Sequence, residues 1–199
     1  MSGEAEMWDR RFAEQPWPTE ADPFLVELAQ PLPAGRALDI ASGPGRNSLW
    51  LADRGWQATA VDASQVALAQ ARQRAADLGV PVQTVQADVT TWRPDPAAYD
   101  LVVVANLHPG VSMLRQVLTN AAAALVPGGH LFVVGHDLVN LGRHGPPDAE
   151  RLLSPDRLAA AIPDELQVER LERRTRPADD GSGGEPDVAV FAWAVKKSS

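Results

Sequence analysis

The stretch Ala37-Leu38-Asp39-Ile40-Ala41-Ser42-Gly43-Pro44-Gly45-Arg46-Asn47-Ser48-Leu49 decides the reading of this chain. An apolar run ends at two glycines and passes straight into a helical pattern. Glycines at such a turn let a ligand approach the backbone closely. The helix start behind them presents free N–H groups that favour a carboxylate or phosphate. Strand, glycine turn and helix in this order open the nucleotide-binding α/β sheets. As a dinucleotide fingerprint, however, Gly43-x-Gly45-x-x-Ser48 lacks the third small residue that packs helix against strand. The loop by itself therefore leaves the identity of the nucleoside open.

Working outward, short apolar runs alternate with helical patterns, the mark of a mostly parallel sheet covered on both faces. The helix after the loop runs from about Asn47 to Asp53, with Gly55 as its C-cap. A second run, Ala58 to Val61, ends at Asp62. Ser64 is a plausible N-cap for a long helix carrying Leu68, Ala71, Ala75 and Leu78 at helical spacing, closed by Gly79. Val82 to Gln86 is a third run, ending at Asp88. The fourth, Leu101 to Ala105, is apolar on both faces and reads as a central strand. A helix with Leu114, Val117, Leu118, Ala121 and Leu125 on one face follows, stopped by Pro127-Gly128-Gly129.

A fifth strand spans Leu131 to Val134, and a polar loop runs from Gly135 to Leu153. Ser154-Pro155 caps a short helix through Ile162. Leu166 to Thr175 and Val188 to Val195 are extended segments joined by the turn-rich loop Pro177 to Pro186, which is expected to be mobile. The charged first segment suits an edge strand, and the apolar second suits insertion within the sheet. Residues 1–35 form one or two helices, the second around Phe24 to Gln30. We expect a single domain over 1–199, with 1–35 as a helical cap or lid and 36–199 as the core.

The 199 residues suffice for one large domain with its own core, at 45% hydrophobic and 22% charged residues. There is no cysteine, which excludes disulfides, thiolate nucleophiles and Cys-based metal sites. The only lysines are Lys196 and Lys197, which removes a Schiff-base or P-loop lysine from the core. A formal net charge of −8 opposes binding to phosphate backbones and anionic membranes. The N-terminus has no apolar signal region, and no stretch approaches about 18 uninterrupted apolar residues. The expectation is a cytoplasmic protein, monomer or homodimer, acting on a small molecule rather than on nucleic acid or membrane.

Asp62 sits at the tip of the second strand, 17 residues after Gly45, where a carboxylate accepts both hydroxyls of a ribose. Asp88 holds the equivalent place after the third strand, where it would meet an adenine amino group or simply cap the turn Val89-Thr90-Thr91. Asp39 lies inside the first strand, placed to organise the loop. With these residues in view, the chain resembles the class I S-adenosylmethionine-dependent methyltransferases, whose first motif is Asp/Glu-x-Gly-x-Gly-x-Gly. Gly43-Pro44-Gly45-Arg46-Asn47-Ser48-Leu49 is similar to the small-molecule subgroup of tellurite-resistance and thiopurine-type enzymes. Val61-Asp62, Gln86-Ala87-Asp88, Tyr99 to Val104, and Leu125-Val126-Pro127-Gly128-Gly129 match further motifs in order, so the resemblance covers roughly Leu38 to Gly135. Two positions depart from it: Ala41 stands at the first glycine and Asn47 at the third.

The resemblance implies a doubly wound, Rossmann-like, seven-stranded, mostly parallel sheet with an antiparallel C-terminal strand and helices on both faces. It implies S-adenosyl-L-methionine as cofactor and S-adenosyl-L-homocysteine as product. Its cofactor contacts would be Asp39, Gly43, Gly45, Asn47, Asp62, Ala63, Asp88, Val89, Asn106 and Leu107, the last pair through a backbone carbonyl. Asn106-Leu107-His108-Pro109 differs from the Asn/Asp-Pro-Pro-Tyr/Phe of DNA and amino-group methylases, against an adenine or glutamine nitrogen as acceptor.

His108 and His136 follow strand ends on the ligand-binding rim, where an imidazole accepts a proton from an acceptor hydroxyl, thiol or acid, or else staples a loop. A metal site of both histidines with Asp137 has no recognised spacing, and none is expected. Trp8, Phe12 and Trp17, interleaved with Arg10 and Arg11, form either a lid or plain packing; His144 lies in a substrate-side loop. The activity expected is methyl transfer by in-line displacement to a small-molecule acceptor. The alternatives are a nicotinamide-dependent oxidoreductase and a non-catalytic sensor of the same nucleoside.

Overall fold

Strand β1 (Arg36–Ile40) is buried at every residue after the first, Asp39 included, because helices cover the sheet that it joins. In the computed structural model, which describes residues 3–177 and 186–198, the chain divides into two compact units, Met1–Arg93 and Pro94–Ser199. Seven strands are described, in the order β3-β2-β1 in the first unit and β4-β5-β7-β6 in the second, mostly parallel with β7 antiparallel, as the fold class requires.

In the first unit, β1 pairs in parallel with β2 (Gln57–Asp62), and β2 pairs in parallel with β3 (Val82–Gln86). Two helices precede them, α1 (Gly3–Glu14) and α2 (Pro23–Ala29); Asp22 caps α2, accepting the Phe24 N–H, and Pro23 stands at its first turn. Helix α3 (Arg46–Asp53) starts directly behind the glycine turn; its C-cap is Arg54, with Gly55 one residue further on at φ 85°. Helix α4 (Gln65–Leu78) buries Ala67, Leu68, Ala71 and Ala75. Its ends follow the local chemistry: Ser64 Oγ accepts the Ala67 N–H at 3.1 Å, and Gly79 closes the helix in the left-handed conformation.

In the second unit, β4 (Tyr99–Ala105) runs parallel to β5 (Leu125–His136), and β7 (Asp187–Lys196) lies antiparallel between β5 and β6 (Leu166–Arg176). Helix α5 (Val111–Ala124) buries Leu114, Val117, Leu118 and Ala121 as expected, though Leu125, expected on the same face, falls in β5, and α6 (Pro155–Ala161) is capped by Ser154 Oγ. The expected helix stop at Pro127-Gly128-Gly129 is corrected. Helix α5 ends at Ala124 and β5 begins at Leu125, so these three residues lie inside the strand. The register jumps there from Tyr99 opposite Leu125 to Leu101 opposite His130, and Gly128 takes a φ of 78° to absorb the surplus residues. Most of the expected mobile loop, residues 178–185, lies outside the described residues.

Candidate functional site

The glycine loop of the first unit is built on positive φ: 58° at Ala41, 52° at Gly43 and 78° at Gly45. A Cβ on Gly45 would stand 3.0 Å from the Ala71 Cβ, and one on Gly43 3.3 Å from the Phe12 ring. Both glycines are thus required by conformation and by close packing. Ala41, the departure from the family's first glycine, adopts the glycine-like angle and carries its strain.

Two buried carboxylates hold this loop. Asp39 Oδ2 accepts the Ser48 Oγ–H at 2.6 Å and the Ser48 N–H at 3.2 Å, bracing β1 against the first turn of α3. Burial pushes its carboxyl up to about 6, against the pull of the Ser48 bonds. Asp62 Oδ2 accepts the Gly43 N–H and Oδ1 the Ser64 N–H, each at 2.8 Å. Burial raises this carboxyl too, and the backbone donors oppose the rise. The Ala63 amide is a further backbone donor to Asp62, so of a carboxylate's about four acceptor sites one is left for a hydroxyl donor. The donor set suits the ribose of a nucleoside.

The other expected contacts divide. Asn47 is buried and its Oδ1 accepts the Asp22 N–H at 2.9 Å, a staple between α3 and the start of α2. Asp88 is exposed; its Oδ1 accepts the Thr90 N–H at 3.0 Å and the Thr90 Oγ–H at 2.6 Å, the turn-capping geometry. Val89 is buried, and the Ala63 carbonyl accepts from Gln86 Nε2. Trp8 and Phe12 of α1 pack with Trp17 just beyond it, Phe12 and Trp17 with centroids 4.8 Å apart, and Arg11 lies over Trp8 at 4.9 Å. The sequence reading missed Asp9, whose Oδ1 accepts from Ser64 Oγ at 2.6 Å and from the Val66 N–H at 3.1 Å, tying α1 to the start of α4. No local signal marks it, since its partners are distant in the chain.

In the second unit, Asn106 ends β4 at φ 57°, its Oδ1 accepting from Arg176 Nη2 at 2.9 Å, and Leu107 beside it is half-buried. His108 Nδ1 lies 2.9 Å from the Arg151 carbonyl and therefore donates, while Nε2 accepts the His136 N–H at 3.3 Å. Burial pushes this imidazole down to about 3. With both nitrogens committed, His108 fits a structural staple better than the expected proton acceptor. Its ring is stacked on that of His136 at 5.3 Å, and there is no room for a Cβ on Gly135, which would meet His108 Cε1 at 2.8 Å. His136 Nδ1 lies 3.0 Å from Oδ1 of the fully buried Asp187. Asp187 and Arg176 were not among the expected site residues; both stand at the ends of the β6–β7 pair flanking the turn-rich segment. Asp137, also fully buried, binds Arg173 Nε at 2.7 Å, and no group of three or more metal-ligating side chains is present among the described residues.

With this geometry in place, comparison with known proteins is direct. Residues 37–129 match the family described as methyltransferase domain. The ubiquinone biosynthesis O-methyltransferase of Cronobacter sakazakii is 30% identical over 162 residues, 73% of this chain and 66% of the relative. Among solved structures, one described under the conversion of a disulfide bond into a thioacetal group during echinomycin biosynthesis superposes with a TM-score of 0.80 at 20% identity, covering 98% of this chain and 92% of that one. The N-methyltransferase NodS from Bradyrhizobium japonicum, bound to S-adenosyl-L-homocysteine, gives 0.74 at 18% identity, covering 99% and 100%. The chain spans 39 to 66% of the length of the first curated relatives it matches. Over residues 37–129 the chain is thus similar to methyltransferase domains, and it shares its fold with these solved structures. No helix among the described residues is long and apolar enough to cross a membrane.

Proposed function

We propose that this chain binds S-adenosyl-L-methionine and transfers its methyl group to a small-molecule acceptor, releasing S-adenosyl-L-homocysteine. The observation that carries the reading is the buried Asp62 carboxylate, wired to the Gly43, Ser64 and Ala63 amides and with an acceptor site left for a ribose hydroxyl. Bound there, the cofactor supplies a methyl group made electrophilic by its sulfonium sulfur.

The chain's part is to bind, orient and exclude water. Asp62 accepts a ribose hydroxyl, with Ala63 beside it. Asp39 stiffens the loop through Ser48, and Gly43 and Gly45 admit the ligand to the backbone. Asp88 and Val89 serve the base, and Asn106 and Leu107 stay proposed as backbone contacts. Asn47 acts through its bond to Asp22 rather than on the ligand. Helix α1 is proposed as the cap of a single domain over 1–199. The Gly43 to Leu49 sequence supports assignment to the tellurite-resistance and thiopurine-type subgroup. The net charge of −8 supports a small acceptor over nucleic acid, and the absence of cysteine suits a cytoplasmic protein.

Titration with S-adenosylhomocysteine and, separately, NADH tests the reading. Saturable binding of the first without the second supports it, and the reverse favours a nicotinamide enzyme. Product formation across small hydroxyl, thiol and amine acceptors separates an enzyme from a sensor, which would bind without turnover.

A further inference from the structure

Strand β6 ends the sheet of the second unit: among the described residues it pairs with β7 and with no other strand. An edge strand of eleven residues offers a row of N–H and C=O groups to a further strand. Such edges are commonly blunted by a bulge or by charge. The bulge of β6 lies toward one end, between Val168 and Arg170, and Arg170 to Arg176 keep an unbroken register with β7. The charges of the strand are mixed in sign. Arg173 and Arg176 are answered within the chain, by Asp137 at 2.7 Å and Asp187 at 2.9 Å. The other four, Glu169, Arg170, Glu172 and Arg174, sum to zero.

Contacts settle which face each side chain takes. Arg170 Nε binds Glu172 Oε1 at 2.7 Å, and the guanidinium groups of Arg170 and Arg174 lie over the Phe191 ring at 5.6 and 5.9 Å, so 170, 172 and 174 share one face. Leu171 takes the other. With Leu166, Val168, Ala159 and Ile162 it lines a groove of about 480 Å³ beside β6 and α6, and Val168 there is an exposed apolar side chain.

The sequence of this edge is complementary to itself. A second β6 laid antiparallel and centred on Leu171 sets Arg170 opposite Glu172 of the copy, Leu171 opposite Leu171, and Glu172 opposite Arg170 of the copy. Both outer pairs join opposite charges on one face, and with the Arg170–Glu172 bond inside each chain they close a ring of four alternating charges. The Leu171 pair falls on the groove face and joins the two grooves into one apolar surface. Moving the centre by one residue sets Arg170 against Arg170 or Glu172 against Glu172, and like charges directly opposite are destabilising.

We propose that β6 is a dimerisation edge, on which two copies of this chain pair antiparallel about Leu171, with Arg170 and Glu172 setting the register. The same patch serves both partners, so the contact closes as a dimer and does not propagate as a filament. It stands apart from the methyl-transfer reading and needs no ligand.

Sedimentation equilibrium of the full chain tests this by mass. The unaltered chain should reach twice its 21.3 kDa, with a dissociation constant of about 100 μM or tighter. Arg170→Glu meets Glu172 of the copy with a second acid, and Glu172→Arg meets Arg170 with a second base. Each variant alone should dimerise about tenfold more weakly or worse. Mixed in equal amounts, the two again set opposite charges across both pairs, and the mixed dimer should recover the affinity of the unaltered chain. Neither variant keeps the bond inside its own chain, so that recovery reports pairing between chains.

An unaltered chain that stays monomeric, a dimer that both variants retain, or a mixture of cooperatively folded variants that fails to recover would overturn the proposal. The second of these results would put the dimer on another face. A monomer whose β6 amides are protected from hydrogen exchange would show a different occupant of the edge and overturn it equally. Should Arg170→Glu fail to fold, because Arg170 packs on Phe191, Leu171→Lys takes its place. It sets two like charges on the two-fold axis, and a dimer that survives it would overturn the proposal.

Discussion

Asp62 Oδ2 accepts the Gly43 N–H at 2.8 Å, so the carboxylate at the end of β2 fixes the glycine loop that follows β1. Its Oδ1 fixes the start of α4 through Ser64 in the same way. Replacing Asp62 by Asn sets an amide donor against one of these N–H groups and removes acceptor capacity for hydroxyls. S-adenosylhomocysteine binding by calorimetry should weaken at least tenfold, and denaturant unfolding should register a loss of about 1–3 kcal/mol.

Ala41 adopts a φ of 58°, an angle that costs a residue with a Cβ about 1–2 kcal/mol. Ala41→Gly relieves it, less the greater freedom of the unfolded chain, for a net gain of about 0.5–1 kcal/mol. A melting temperature raised by about 2 °C is the expected readout; a lowered one would contradict the strain.

Gly45→Ala meets both a φ of 78° and the Ala71 Cβ at 3.0 Å. It should destabilise by about 2 kcal/mol or more. Part of that loss should return in the Gly45→Ala, Ala71→Gly pair, so that a double-mutant cycle yields a favourable coupling. Strict additivity would mean that the contact does not matter.

Asp39 titrates near 6 in the fold against 3.8 ordinarily, because burial penalises its charge. Between pH 4 and 6 the folded state therefore holds more protons than the unfolded one, and stability falls as pH rises through that window, by about 3 kcal/mol in all. Asp39→Asn retains an acceptor for Ser48 and cannot titrate. Its stability relative to the parent should climb between pH 4 and 7 in parallel urea titrations, whereas a pH-independent difference would contradict the assignment.

His108 has the opposite sign. Burial brings its imidazole from 6.5 to about 3, so the unfolded state binds the extra proton and stability is lost as pH falls below 6.5. By pH 5 the loss is about 2 kcal/mol. His108→Asn keeps a donor for the Arg151 carbonyl and should remove this part of the acid sensitivity, measured as a flatter stability profile between pH 7 and 5.

The elements that were legible in the sequence are those whose determinants lie within a few residues. Ser64 and Gly79 bound α4, Gly43 and Gly45 mark the loop, and Asp39 and Asp62 stand at readable places on β1 and β2. Pro127-Gly128-Gly129 misled because these residues usually end helices, while pairing with β4 keeps them inside β5. The polar network of the second unit was illegible for another reason. His136 finds Asp187 51 residues away, and in the first unit Ser64 likewise finds Asp9 across 55, separations that no periodicity encodes. The bond of Asn47 to the Asp22 amide was equally illegible, since the two lie 25 residues apart.

Calorimetric titration of the folded chain with S-adenosylhomocysteine, beside Asp62→Ala, tests the central claim most directly. Saturable one-to-one binding, lost or severely weakened in a variant that still unfolds cooperatively, is the predicted result. No saturation by about 1 mM ligand, a free energy weaker than about −4 kcal/mol, in protein shown to be folded would contradict it.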